Sequence, residues 1–125
     1  MISTNETPGI NNVVDAMEAY VASVISGEID SELVRRMALQ MMYNLMAFTK
    51  KHQDYGRANI ALGGEVGLLI RMNDKVQRMM TLHHAAATPN HESVTDSIND
   101  LAVYGTIMQI VRAGNWPGTD ERWGL

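Results

Sequence analysis

"DSELVRRMALQMMYNLMAFTKK", residues 30–51, is the stretch whose reading decides the fold class. Leu33, Val34, Met37, Met41, Met42, Leu45 and Phe48 recur at steps of three and four, the period of one helix face. Asp30 or Ser31 can accept hydrogen bonds from the first-turn N–H groups. Lys50 and Lys51 stand at the other end, where cations complement the helix dipole. The spacing predicts a helix over 30–51. Met37, Met41, Met42 and Met46 suit either a packed core or an adaptable binding surface, and at helical spacing core filling is the commoner use.

The same period continues on both sides. Upstream, Val13, Val14, Met17, Val21, Val24 and Ile25 predict a helix over about 12–26, with Asn11 or Asn12 as cap and Gly27 as stop. Downstream, "HQDYGRANIALGG" reads as a loop with room for a short helical turn, and "GEVGLLIRMNDKVQRMMTLHH" as a helix over 64–84. "AAATPN" breaks the chain before a last helix over about 92–113, with Gly114 as its C′ residue and Pro117 beyond it. The expected fold is all-α, four helices in one domain over 10–116, with tails at 1–9 and 117–125.

Hydrophobic residues form 46% of the 125 and charged residues 19%, an ordinary globular balance. Without Cys there is no disulfide and no thiolate metal site. The N-terminus has neither the basic patch nor the apolar run of a secretory signal, and no stretch has the length of a membrane span, so the expected location is the cytoplasm. The net charge of −4 argues against direct nucleic-acid binding. The charge is also uneven. Residues 1–34 hold six acids and no base, whereas six of the ten Lys and Arg fall between 50 and 78. A basic segment near acidic residues suits a site shared by a metal and a phosphate, and equally the paired polar faces of a bundle.

Two helices carry the candidate chemistry. On 64–84, Arg71, Asp74, Lys75 and Arg78 share one face, opposite Val66, Leu69, Ile70, Val76 and Met80. Glu65 lies in line with Leu69, Met72 and Val76, where it is either a buried carboxylate or a first-turn residue favoured by the dipole. On 92–113, Glu92, Asp96 and Asp100 form a row that runs into Val103, Ile107 and Ile110. Buried carboxylates need partners or a metal. A capping box from Ser93 to Asp96 is the alternative, and it leaves Asp100 unexplained. Carboxylate oxygens suit Mg²⁺ or Mn²⁺. His83, His84 and His91 lack zinc-site spacing, and Gly63-Gly64 is either an anion cradle or a tight turn. Trp116 and Trp123 are expected to pack on the chain's own bundle rather than on a neighbouring subunit.

Taken together, K-x-x-D-Y-G (Lys51, Asp54, Tyr55, Gly56), Gly64-Glu65, R-x-x-D-K-x-x-R (Arg71, Asp74, Lys75, Arg78) and E-x-x-x-D-x-x-x-D-x-x-x-Y (Glu92, Asp96, Asp100, Tyr104) resemble the nucleotide modification associated domain 1 family of phages and bacteria. The resemblance covers about residues 48–116. That family is similar in outline to the all-α, MazG-like nucleoside triphosphate pyrophosphohydrolases. It therefore implies a MazG-like bundle completed as a homodimer or homotetramer, and a role in phage nucleotide metabolism in the host cytoplasm. The spacing departs from the E-x-x-E and E-x-x-D pairs of MazG-like enzymes, since Leu68 and Leu69 follow Glu65 where a second acid would stand.

The expected activity is Mg²⁺-dependent hydrolysis of a nucleotide. Glu65, Glu92, Asp96 and Asp100 would hold the metal, with Glu65 and Asp96 catalytic. Lys51, Arg71, Lys75 and Arg78 would bind phosphates, and Asp54, Tyr55 and Tyr104 base or sugar. The alternatives are a nucleotide-binding protein without turnover and a structural interaction module.

Overall fold

The computed structural model describes residues 9–84 and 91–117, without the side chains of 91–93. Every regular element among them is a helix: α1 (Ile10–Val24), α2 (Ser31–Tyr55), α3 (Arg57–Ile60), α4 (Gly64–His84) and α5 (His91–Arg112). The expected all-α class is therefore observed, and the short helical turn for which the segment after α2 left room is α3. Three boundaries also move: α1 ends at Val24 with the extended Ile25 as its cap, ahead of the expected stop at Gly27, and two others shift. The helix after Asp30 continues past Lys51 to Tyr55, and α1 starts at Ile10 on Gly9 rather than on Asn11 or Asn12. No described helix is long and apolar enough to cross a membrane.

Local chemistry explains the ends. Asp30 accepts the Leu33 N–H at 3.1 Å and starts α2. Gly56, at φ +72°, breaks the chain after Tyr55 and leads into α3. Gly114, at φ +74°, ends α5. Its N–H donates to Val111 and the Asn115 N–H to Ile110, both at 3.0 Å, the paired bonds of a Schellman motif. Gly63 and Gly64 both have positive φ and form a tight turn, with the Gly64 N–H spent on the Ala61 carbonyl. The turn reading of that pair is the one observed.

Chain contacts divide the molecule into two compact units, Met1–Ala47 and Phe48–Leu125, where the sequence pattern suggests one domain over 10–116. In the first, Ile10 and Val14 of α1 bury against Ala38 and Tyr43 of α2, with Met17, Leu39, Met42 and Met46 around them. Arg35 pairs with Asp15 at 2.6 Å and Glu18 at 2.9 Å, and the Ser31 hydroxyl donates to Glu18. The predicted stripe on α2 is only partly covered. Val34 and Met42 are half-buried, whereas Leu33, Met37, Met41 and Leu45 are more than half exposed. The single helix α1 covers a narrower strip than the stripe is wide, so core filling holds for Met42 and Met46 but not for Met37 and Met41.

In the second unit α4 and α5 run antiparallel, as the pairs Glu65–Arg112 and Lys75–Asp100 require. Ile60, Ala61, Leu68, Ile107 and Trp116 form the core, with Phe48, Val103 and Tyr104 against it. Trp116 packs within its own unit, as expected, and its indole N–H donates to the Arg57 carbonyl at 3.0 Å. Trp123 lies outside the described residues. Gly67 permits a close backbone approach: a Cβ there would sit 2.6 Å from the Leu62 carbonyl oxygen. The orientation of α4 is the reverse of the one that hydropathy alone favours. Gly64 and Leu68 are buried and Arg71 and Lys75 half-buried, while Val66, Leu69, Ile70 and Met80 face outward. The reason is polar: Arg71 and Lys75 find partners on α3 and α5 that hold the mixed face inward.

Candidate functional site

The C-terminal segment of α2 presents Phe48, Lys51, His52 and Tyr55 along one side, at steps of three and four. α5 presents Asn99, Asp100, Val103, Tyr104 and Ile107 by the same rule, and α3 supplies Asn59 and Ile60. Between them, with Arg71 of α4, lies a cavity of about 230 Å³. Its floor is shared with the core, since Ile60 and Ile107 belong to both.

Asp100 is the hub of the polar side. Lys51 Nζ donates to its Oδ1 at 2.5 Å, and Lys75 Nζ lies 3.0 Å from its Oδ2. Three helices thus meet on one carboxylate. Burial pushes the Asp100 carboxyl up, but the hydrogen bonds and charges of Lys51 and Lys75 outweigh it, so its pKa lies below the ordinary value. The folded state then binds this proton less readily than the unfolded chain. The resulting stability is fully present above the unfolded pKa, about 4, and is lost as pH falls through the lower folded value. A melting series from pH 6 down to pH 2 is expected to show the Tm advantage of the wild type over Asp100→Asn shrinking across that acid range.

Arg71 is fixed by the backbone: its guanidinium donates to the Ile60 carbonyl at 2.8 Å and the Asn59 carbonyl at 3.3 Å. It satisfies the Ile60 carbonyl at the end of α3 and shares the Asn59 carbonyl with the Leu62 N–H, while keeping its charge at the cavity. Phe48 and His52 stack with centroids 5.6 Å apart and planes 6° apart. His52 Nδ1 is buried and is the one such polar side-chain atom without a hydrogen-bond partner among the described residues.

The structure brings together Lys51, Tyr55, Arg71, Asp100 and Tyr104 from the sequence-predicted set, with Lys75 joined through Asp100. It does not bring in Asp54, which is exposed, or Arg78, which does not line the cavity. Glu65 is exposed in the first turn of α4 and pairs with Arg112 at 3.0 Å. Asp96 is exposed one turn before Asp100, and the Glu92 side chain is outside the description. The capping box is corrected: α5 begins at His91, so Ser93 stands inside the helix and Asp96 is past its N3 position. Among the described residues no three His, Asp or Glu side chains converge as a metal set, and both Asp100 oxygens face lysines. The described donors alone thus do not assemble the expected Mg²⁺ set. His52, Asn59 and Asn99 were not singled out in the sequence. His52 stands four residues after Phe48 and three before Tyr55, the spacing by which it was open to detection; the amides carry no such signal.

Compared with protein-family models, curated proteins and solved structures, the chain matches none.

Proposed function

We propose that the chain binds a nucleotide in the cavity of its second unit. The observation that carries the reading is one cavity in which aromatic rings and fixed cations meet. Phe48, His52, Tyr55 and Tyr104 offer ring faces on which a base can stack, each such contact contributing about 1–3 kcal/mol. Lys51 and Arg71 line the same space, with Lys75 beside Asp100, as phosphate binders. The charged groups are held by Asp100 and by carbonyls before any ligand arrives, which lowers the ordering cost of binding.

Mg²⁺-dependent pyrophosphohydrolysis is a second reading, favoured by Asp96. This carboxylate is exposed, lies one turn from Asp100 and has no ion-pair partner among the described residues, so it is open to a cation. One experiment addresses both readings. A thermal-shift panel of nucleotides is expected to stabilise the wild type, by about 2.7 kcal/mol at a hundred times the dissociation constant. Lys51→Met is expected to weaken binding by about 1.5–3 kcal/mol, or roughly ten- to a hundredfold, through loss of a charge-assisted bond. No shift with any nucleotide sinks the proposal. Pyrophosphate release that needs Mg²⁺ and is lost in Asp96→Asn would establish hydrolysis, and binding without release would leave a nucleotide-binding protein.

A further inference from the structure

We infer that the site selects a nucleoside monophosphate over the corresponding triphosphate, which rests on the nucleotide-binding reading above. Lys51, Arg71 and Asp100 line the cavity, and Lys75 is bound to Asp100. Three cations less one anion leave two positive charges, and among the described residues no other cation lines the cavity. A phosphate monoester near neutral pH carries about −1.5 to −2, which this set neutralises. Each further phosphate adds negative charge with no lining cation to meet it.

Asp100 sharpens the choice. Its carboxylate is mostly buried and fixed by both lysines, so a longer phosphate chain has a like charge for a neighbour. Each ammonium has three donors, so a single phosphate can share Lys51 and Lys75 with Asp100 without displacing it. Size agrees. At about 230 Å³ the cavity is smaller than the roughly 300 Å³ of small ligand pockets, so it offers a longer phosphate chain no further enclosed space.

The test is a calorimetric titration of the full chain, in Mg²⁺-free buffer, with adenosine and thymidine and their mono-, di- and triphosphates. The wild type is expected to bind the monophosphate more tightly than the triphosphate. Asp100→Asn, which adds one net positive charge, is expected to move the ratio toward the triphosphate by up to about fivefold. Lys75→Met, which removes one, is expected to move it the other way and stands as the second variant should Asp100→Asn fail to fold. A wild type that binds the triphosphate as tightly as the monophosphate or more tightly, or a ratio unmoved by either variant, overturns the monophosphate inference and leaves nucleotide binding standing. If no nucleoside or nucleotide binds at all, the nucleotide reading itself falls.

Discussion

Replacing Trp116 with Ala is expected to lower the unfolding free energy of the second unit by about 3–5 kcal/mol. The indole is 8% exposed within the core of Ile60, Ala61, Leu68 and Ile107, so truncation leaves a cavity walled by side chains that cannot all close on it. Urea unfolding followed by helical circular dichroism measures the loss. Trp116→Phe separates the two contributions, because it keeps most of the packing and removes the bond to the Arg57 carbonyl. That carbonyl also accepts from the Ala61 N–H at 3.3 Å, so loss of the indole bond should cost only about 1 kcal/mol. A Phe variant as damaged as the Ala variant would show that the hydrogen bond, not the packing, holds α3 in place.

Leu68→Ala is the second large effect, at about 2–5 kcal/mol. Leu68 is 0% exposed, on the face of α4 that meets α5, in the same core as Ile60 and Ile107. Because those two residues also line the cavity, the variant tests whether core and site are one structure. Below its own Tm, Leu68→Ala is expected to bind nucleotide more weakly than the wild type although it touches no ligand. Affinity equal to wild type in the folded variant would show that the cavity is held by its polar contacts alone.

The legibility of the site in the sequence follows the range of the interactions. Arg71, Lys75 and Asp100 stood out because charged residues at helical spacing mark a face whatever that face meets, whereas Lys51, Tyr55 and Tyr104 entered through the family resemblance. Their partners were not legible. That Asp100 would take two lysines, one from α2 and one from α4, depends on segments 49 and 25 residues away. Glu65 illustrates the opposite outcome. Its place among apolar neighbours left burial and a first-turn role both open, and it is the first-turn position and Arg112 that account for it.

The sequence by itself determined the helices. Apolar period, the Asp30 cap, the Gly63-Gly64 turn and the Gly114 stop are local, and each acts over no more than a few residues of backbone geometry. What the sequence could not determine was which face of each helix turns inward. On α4 the apolar residues Val66, Leu69, Ile70 and Met80 remain outside while Arg71 and Lys75 point in. Hydropathy assigns the inward face only when burial of apolar area outweighs every other contribution. Here a glycine that permits close approach, a fully buried leucine and three cation contacts to fixed oxygens lie together on the other face. Only the tertiary structure, by placing those oxygens on α3 and α5, decided between them.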